Sequence, residues 1–318
     1  ERIPEEKGSI ALVRGIVQGF KNAGYKVGGF NSCFTSDVIA AAGVSSSASF
    51  EMMICAILNI LFNDGKIPLA KLVAIGQFAE NAYWDKASGQ LDQTACAAGG
   101  IICIDFENKE EPLTRKVNFD FAAAGYTMML VVTGKGHADL SAEYSAVPQE
   151  MKAVASFFGQ DTLRGLSFED ITKNLPALRA KFGDRAVMRS LHFFEENVRV
   201  EKEIEALEKG DFASFLKLVE ASGNSSWKWL QNICVPGVAE EQPMAICLAL
   251  SEYFIRTHNK GACRLHGGGF AGVIQAFIPN ELADEYVDFM NEALNGGKDG
   301  KNNVYRMTIR PLGTIEIC

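Results

Sequence analysis

Three consecutive serines before a long apolar run form the part of this sequence best suited to bind phosphate. Ser45, Ser46 and Ser47 follow Gly43 and precede the apolar run at residues 50–62. The first N–H groups of a helix have no partner within the helix and carry partial positive charge, so a helix that begins here would attract an anion. Serine also caps helices that bind nothing, so the segment alone leaves both interpretations open.

Two carboxylates downstream have the chemistry of a metal ligand and an acid–base group. Glu80 ends a helical pattern, and Asp92 follows the turn at Ser88 and Gly89. In phosphate-transfer sites Mg²⁺ takes a carboxylate, a hydroxyl and phosphate oxygens as its ligands. One carboxylate beside the serine-rich helix start would hold the metal, and the other would act on the acceptor hydroxyl. The simpler interpretation is that Glu80 is a solvated helix residue and Asp92 a helix cap.

A glycine-rich stretch at residues 261–272 is the third unusual feature. Gly267, Gly268 and Gly269 lie between two strand-like runs. Consecutive glycines indicate positive φ angles or a close approach of the backbone to a ligand or another loop. A tight β-turn is the alternative explanation.

The elements that must position these residues are a mixture of helices and strands. Hydrophobic spacing predicts helices at 7–21, 50–63, 71–84, 187–209, 243–258 and 281–294, and strands at 26–35, 100–106, 126–132, 262–265, 270–277 and 304–310. The whole stretch 141–221 has a helical pattern. On the helix at 187–209 the pattern predicts that five glutamates face water: Glu195, Glu196, Glu201, Glu203 and Glu205. The change from a strand-rich to a helix-rich pattern places a domain boundary near 119–125.

Composition excludes several classes of function. With 318 residues, 47% of them hydrophobic and 22% charged, the chain can bury a sizeable core. The net charge of −8 argues against a nucleic-acid partner. No apolar run reaches 18 uncharged residues and the start lacks a signal-peptide pattern, so no membrane association is expected. The eight cysteines form no C-x-x-C pair, which is typical of reduced, buried thiols in the cytoplasm.

The order of these features resembles the galactokinase branch of the GHMP small-molecule kinases. Residues 89–93 match that family's Gly-x-x-Asp-Gln motif, residues 261–272 resemble its third motif, and Glu143-Tyr144 after His137 is similar to a galactokinase stretch. The resemblance implies a two-domain α+β fold. Residues 1–122 would form a ribosomal protein S5 domain 2-like N-terminal domain, incomplete here, and residues 123–318 a helix-rich α+β C-terminal domain.

The resemblance also implies a reaction, in which the γ-phosphoryl group of ATP passes to the C1 hydroxyl of galactose to give galactose 1-phosphate. Mg²⁺ would be the metal, the small-molecule partners would be galactose and ATP, and the protein would be a cytoplasmic monomer. The roles carried over are a phosphate loop (Gly43, Ser45, Ser46, Ser47), metal ligands (Ser47, Glu80), a catalytic carboxylate near the sugar hydroxyl (Asp92), a sugar pocket (Gly89, Asp92, Tyr144) and a supporting glycine-rich loop (Gly267, Gly268, Gly269).

Two departures from the family pattern bear on activity. The family's first motif, Gly-Arg-x-Asn-x-x-Gly-Glu-His-x-Asp-Tyr, is absent, and with it the arginine that would lie beside Asp92. If this chain were the complete polypeptide, we would expect little or no kinase activity and exposed sheet edges prone to pair with another chain. Ala41 also stands where galactokinases have a glycine, and a positive φ there would cost on the order of 1 kcal/mol and weaken ATP binding.

Two other functions fit the same motifs. A related kinase acting on N-acetylgalactosamine would differ in the residues that face C2 of the sugar, which the sequence does not reveal. A galactose-sensing regulator without useful catalysis would be consistent with the altered phosphate loop. Because a sensor has less need of Ser47, Glu80 and Asp92 together, their presence favours an enzyme.

Overall fold

The computed structural model describes residues 3, 8–38, 44–85, 88–108, 112–134, 140–295 and 302–316. The chain divides into two units, one formed by residues 1–118 together with 309–318, and the other by residues 119–308. The two units are described in turn.

The first unit is a cluster of helices followed by a strand pair. Its helices are α1 (Ser9–Asn22), α2 (Ser46–Asn63), α3 (Leu69–Tyr83) and α4 (Leu91–Ala98), and its strands are β1 (Ile101–Asp105) and β2 (Leu113–Val117). The two strands pair antiparallel, with Ile101 opposite Val117 and Asp105 opposite Leu113. Apolar side chains of α1, α2 and α3 form the core of this unit, with Phe20, Cys55 and Leu58 fully buried.

Small residues allow α1 to lie very close to α3. A Cβ added at Gly15 would be 2.8 Å from the Cα of Ala79, and one added at Gly19 would be 2.9 Å from a methyl group of Ile75. Real carbon atoms do not approach so closely, so larger residues at these positions would separate the helices. The spacing of α3, which carries Glu80, therefore depends on glycines in α1.

Helix α2 is, among the described helices, the one long and apolar enough to cross a membrane by length and composition alone. In the structure its residues Met52, Cys55 and Leu58 are buried in the core of the first unit. A core helix of a globular protein meets the same criterion, and the packing of α2 explains its composition without a membrane.

The last residues of the chain return to the first unit. The N–H of Gly100 donates to the carbonyl of Arg310 at 2.8 Å, and the N–H of Thr314 donates to the carbonyl of Ala97 at 3.2 Å. A Cβ on Gly313 would lie 1.9 Å from the Ala97 oxygen, so the two backbones touch where α4 ends. The sequence offered no signal for this return, because it depends on a backbone contact and not on hydrophobic spacing.

The second unit is a four-stranded antiparallel sheet covered by helices. Its strand order is β4 (Ala262–His266), β5 (Val273–Pro279), β3 (Tyr126–Val132) and β6 (Val304–Met307). The helices are α5 (Ser141–Phe157), α6 (Phe168–Lys173), α7 (Leu175–Phe182), α8 (Asp184–Glu208), α9 (Phe212–Ser225), α10 (Pro243–His258) and α11 (Ala283–Asn295), with a π-helical turn at Ser226–Leu230 and a 3₁₀ turn at Asn280–Leu282. The sheet packs on α10 and α11, with Met244, Ile274 and Tyr286 at the centre of the core.

One predicted strand is wrong, and one observed strand was missed. Residues 26–35 form no regular secondary structure and pair with no described strand, because a strand requires a hydrogen-bonding partner that the local pattern does not reveal. Strand β2 was missed because its sequence, Leu-Thr-Arg-Lys-Val, is exposed at four of five positions and lacks an apolar alternation.

The glutamates of α8 also differ from the prediction. Glu196 and Glu203 do not face water: Glu196 accepts hydrogen bonds from Arg199 and from Ser222 of α9, and Arg264 of β4 lies 3.5 Å away. Burial raises the pKa of the Glu203 carboxyl to about 7, against the opposing charge of Arg264. Burial lowers the pKa of His192, on the same helix, to about 4. A partly buried ionic cluster thus joins α8, α9 and β4.

Replacing Glu203 by glutamine should change how stability depends on pH. Between its unfolded pKa of 4.5 and its folded value of about 7, the Glu203 carboxyl holds a proton in the folded protein that the unfolded chain has lost. The free energy of unfolding of the wild type therefore decreases as pH rises from 4.5 to about 7, and Glu203→Gln removes that decrease. Relative to wild type, the free energy of unfolding of the variant should rise by about 2 kcal/mol between about pH 5 and pH 8.

Urea unfolding at several pH values measures this difference directly. The titration of His192 acts in the opposite sense, but it is common to both proteins and cancels in the comparison. Glu205→Gln, at an exposed position of the same helix, is the matched control. A difference between Glu203→Gln and wild type that is constant with pH would contradict the prediction.

Candidate active site

Helix α2 begins within the serine-rich segment. Its first residue is Ser46, and Ser45 at the N-cap lies in the left-handed region at φ 59°. A non-glycine residue in that region costs roughly 1 kcal/mol or more, and such strain is often found where a backbone is shaped for a ligand. Gly43 and Ala41 lie outside the described residues, so their predicted roles in phosphate binding stay predictions.

Ser47 and Glu80, 33 residues apart in the chain, are in direct contact. The Oγ of Ser47 donates to Oε1 of Glu80 at 2.6 Å. Glu80, near the end of α3, is only 1% exposed, which excludes the interpretation of this residue as a solvated helix position. The structure thus joins the two residues expected to hold a metal, at the first turn of α2.

A second buried carboxylate, missed by the sequence reasoning, completes the cluster. Glu51, on α2, is fully buried, and its Oε2 accepts a hydrogen bond from Nε2 of Gln93 at 2.9 Å. The same nitrogen donates to Oε2 of Glu80 at 3.1 Å. The available signal was that Glu51 is the single Asp, Glu, Lys or Arg within residues 48–62. A charge in a buried apolar run has to find polar partners.

Asp92 lies beside this cluster, in the first turn of α4 and next to Gln93. It is partly exposed, whereas Gln93 is fully buried. The loop before α4 is fixed by α3, since Gln77 donates to the carbonyl of Ser88 at 2.8 Å and accepts from Gln90 at 3.0 Å. Gly89 is exposed, with open space where a Cβ would stand, so its backbone is accessible.

The carboxylates give this part of the first unit a negative field. Burial raises the pKa of the Cys96 thiol to about 11, and the charges of Asp92 and Glu51 add to the effect. Burial, with the charge of Glu51, also raises the pKa of Cys55. Both thiols therefore stay protonated at neutral pH.

The oxygen donors at the start of α2 fit Mg²⁺ shared with phosphate groups. A hydroxyl and a carboxylate are the hard ligands that Mg²⁺ prefers, and its remaining ligands are usually water and phosphate oxygens. Within the described residues no group of three or more His, Cys, Asp or Glu side chains forms an all-protein metal cage. Ser47 and Glu80 would therefore supply only part of a ligand set, with phosphate oxygens and water as the remaining ligands.

In the second unit, Tyr144 of α5 contacts the glycine-rich loop. Its hydroxyl donates to the carbonyl of Gly269 at 2.7 Å, and its ring meets Phe270 edge-on at 5.5 Å between centroids. Burial raises the pKa of the Tyr144 hydroxyl to about 12. Tyr144 and Gly269, to which the family resemblance gave separate roles, are thus hydrogen-bonded to each other.

The glycine-rich loop joins β4 to β5 and is held by Asn232, which the sequence reasoning missed. The N–H of Phe270 donates to the backbone carbonyl of Asn232 at 2.6 Å, and the Asn232 amide donates to the carbonyl of Gly268 at 3.0 Å. A Cβ on Gly269 would lie 2.1 Å from the Asn232 oxygen, and one on Gly268 would lie 2.9 Å from the Tyr144 ring. No motif surrounds Asn232 that would have indicated this role.

Alanine at Gly269 should be far more damaging than alanine at Gly267. Both glycines have positive φ, 85° and 74°, but only Gly269 is in contact with Asn232, while Gly267 has open space around it. We expect Gly267→Ala to lower the free energy of unfolding by about 1 kcal/mol, through backbone strain alone. Gly269→Ala adds a steric clash with backbone and should cost about 3 kcal/mol or more. Chemical unfolding of the two variants provides the comparison, and equal losses would argue against a tightly clamped loop.

Comparisons with known proteins agree with these features. A model of the GHMP kinases N terminal domain matches residues 11–100. A galactokinase from Actinobacillus pleuropneumoniae serotype 5b (strain L20) is 29% identical over 282 residues, which cover 87% of this chain and 69% of that protein. A galactokinase from Streptomyces coelicolor is 29% identical over 272 residues, 84% of this chain and 65% of that protein.

Solved structures show the same fold. The structure of Lactococcus lactis galactokinase complexed with galactose matches 98% of this chain and 78% of that protein with a TM-score of 0.77 at 22% identity. L. major mevalonate kinase in complex with R-mevalonate matches 95% of this chain and 77% of that protein, with a TM-score of 0.55 at 16% identity.

The family model over residues 11–100, the α+β fold and the relatives together show that this chain is similar to the GHMP kinases. The two relatives named above, each 29% identical to this chain, are galactokinases. The resemblance inferred from the three motifs, and the fold class that it implied, are thereby confirmed.

Proposed function

We propose that this chain is an ATP-dependent sugar kinase that transfers the γ-phosphoryl group of ATP to the C1 hydroxyl of galactose. The observation that carries the proposal is the contact between Ser47 and Glu80 at the start of α2, with Asp92 on the adjacent turn of α4. The similarity to galactokinases supports galactose as the acceptor. In this proposal the first unit supplies the phosphate site and the catalytic carboxylate.

The phosphates would be bound by the start of α2. The first backbone N–H groups of α2, together with the hydroxyls of Ser45 and Ser46, would donate hydrogen bonds to the negatively charged phosphates of the nucleotide. Ser47 and Glu80 would hold Mg²⁺, which when bound neutralises charge on the phosphate oxygens. The 2.6 Å hydrogen bond between Ser47 Oγ and Glu80 Oε1 already holds the two oxygen ligands close together, so little rearrangement would be needed when Mg²⁺ binds.

Asp92 would act on the sugar hydroxyl. A carboxylate at this position would accept the proton of the C1 hydroxyl or orient that hydroxyl for attack on the γ-phosphorus. Its place in the first turn of a helix and beside the buried Gln93 fixes its backbone, while its side chain stays partly accessible. Those are the requirements for a group that must meet a substrate in a defined orientation.

Gly89 and Tyr144 keep their proposed roles in sugar binding. The open space beside Gly89 supports a backbone contact with a ligand. Because the Tyr144 hydroxyl already donates its proton to Gly269, its oxygen would accept a hydrogen bond from a sugar hydroxyl. Galactose and N-acetylgalactosamine differ at C2, and direct comparison of the two sugars as substrates decides between them.

Galactose-dependent release of ADP tests the proposal. Asp92→Asn should lower kcat by about a hundredfold or more, because the amide keeps the shape of the carboxylate but cannot accept a proton. Glu80→Gln should raise the Mg²⁺ concentration needed for half-maximal rate, since a carboxylate ligand is replaced by a neutral amide. Asp64→Asn, an exposed acid of the same unit, is the control and should leave both quantities unchanged.

The outcomes separate the three candidate functions. Galactose-dependent turnover that is lost in Asp92→Asn supports the kinase. Binding of galactose and ATP to the wild-type chain without turnover would refute it and favour a sensor. Faster turnover of N-acetylgalactosamine than of galactose would keep the reaction and change the substrate.

A further inference from the structure

Glu51 occupies a buried position that the proposed reaction does not use directly. We propose that Glu51 is a positioning residue of the phosphotransfer site, acting through Gln93 on both Glu80 and the turn that carries Asp92. The proposal rests on the proposed function, because it assigns a role within that same site. Its basis is a connected series of hydrogen bonds across three helices.

Glu51 lies one helical turn after Ser47 on α2. Residues four apart project from the same face of a helix, so the hydroxyl of Ser47 and the carboxylate of Glu51 face the same neighbours. Glu51 is 0% exposed, and a carboxylate removed from water is strongly destabilising unless polar groups replace the lost hydration. Hydrogen-bond donors must replace the lost hydration of the Glu51 carboxylate, and Gln93 supplies one of them.

Gln93 bridges the two buried carboxylates. One side-chain nitrogen donates to Glu51 at 2.9 Å and to Glu80 at 3.1 Å, so both of its N–H bonds are used. Its oxygen is buried and has no hydrogen-bond partner among the described residues. Turning the amide over would place that oxygen against two carboxylates, so the two acids together fix its orientation.

The contacts form one series, Ser47 to Glu80 to Gln93 to Glu51. Glu80 is held at one oxygen by Ser47 and at the other by Gln93. Asp92 precedes Gln93 in the first turn of α4, so anchoring the Gln93 side chain anchors the backbone from which Asp92 projects. Gly76 of α3 leaves room for the series: a Cβ there would lie 3.3 Å from both the Gln93 Cγ and a Glu51 oxygen, and 2.5 Å from a methyl group of Met52.

Loss of the Glu51 carboxylate would release Gln93 from α2. The amide could then rotate toward Glu80 or turn over, and either change alters the oxygen that Glu80 presents to a cation. The turn carrying Asp92 would lose its hydrogen-bonded link to α2 at the same time. The consequences should fall on cation–nucleotide binding and on kcat, whereas the Michaelis constant for galactose should change little.

The experiment compares four purified variants of the full chain with wild type. Glu51→Leu removes the acceptor at similar volume, Glu51→Gln keeps an acceptor oxygen for Gln93, and Gln93→Leu removes the bridge. Leu58→Ala, on the same buried face of α2 two turns later, reports a simple loss of core packing. The readouts are kcat, the Michaelis constant for galactose, the free energy of unfolding and, without turnover, the affinity for Mn²⁺ with ADP measured by electron paramagnetic resonance.

For Glu51→Leu we expect kcat and the Mn²⁺–ADP affinity to fall about tenfold to a hundredfold, as is typical when a partner of a metal ligand is removed. Glu51→Gln should restore most of both losses. The double variant Glu51→Leu/Gln93→Leu should be no worse than either single variant, because both changes break the same connection. Leu58→Ala should lose stability with its Mn²⁺–ADP affinity unchanged.

Several results would overturn the proposal. It fails if Glu51→Leu matches Leu58→Ala in Mn²⁺–ADP affinity and in kcat per folded molecule, or if the effects of the two leucine substitutions add in the double variant. If Glu51→Leu does not fold, Glu51→Asp, which withdraws the carboxylate by one methylene, must show the same losses, and wild-type behaviour of that variant counts against the proposal. Absence of galactose turnover in wild type would refute the proposed function alone, because Mn²⁺–ADP binding still decides the role of Glu51.

Discussion

Two glutamates buried together in a helical core constrain helices α2, α3 and α4. Each carboxyl group loses its hydration on burial, so the arrangement is stable only with hydrogen-bond donors directed at both. Gln93 supplies one such donor to Glu51 and one to Glu80, and Ser47 supplies another to Glu80. Since these residues lie on α2, α3 and α4, satisfying the two acids fixes the relation of the three helices.

Close helix contact makes that arrangement possible. Gly76 allows α3 to approach α2 where the carboxylate of Glu51 meets Gln93, and Gly15 lets α1 lie against Ala79, next to Glu80. Larger side chains would lengthen the hydrogen bonds, and an amide that bridges two carboxylates has little tolerance for longer distances. The close helix packing that these glycines allow therefore sets the geometry of the buried hydrogen bonds at the site.

In the second unit the hydrogen-bond acceptors are backbone carbonyls of the glycine-rich loop. Tyr144 donates to the carbonyl of Gly269, and Asn232 donates to the carbonyl of Gly268. Behind the loop, Arg264 of β4 donates to Ser222 and lies near Glu196, which ties the strand that leads into the loop to α8 and α9. The loop is thus held by a hydroxyl, an amide and a partly buried ion pair.

The sequence by itself determined the elements with a strong local pattern and the class of protein. The helix Pro243–His258 and the strand Tyr126–Val132 have the bounds that hydrophobic spacing predicted, because period and end signals are local properties. The serine-rich segment, Gly-x-x-Asp-Gln and the glycine-rich stretch were sufficient to indicate a resemblance to the GHMP kinases, since each motif reflects a backbone or charge requirement of adjacent residues.

The tertiary structure decided what depends on residues distant in the chain. Residues 26–35 have strand-like composition but no described ladder partner, and the return of 309–316 to α4 rests on a contact between Gly313 and Ala97. In the sequence Glu51 is part of an apolar helix, whereas in the structure Gln93, 42 residues later, donates a hydrogen bond to it. The role of a buried carboxylate depends on the group that donates a hydrogen bond to it, and for Glu51 that group, Gln93, lies on another helix.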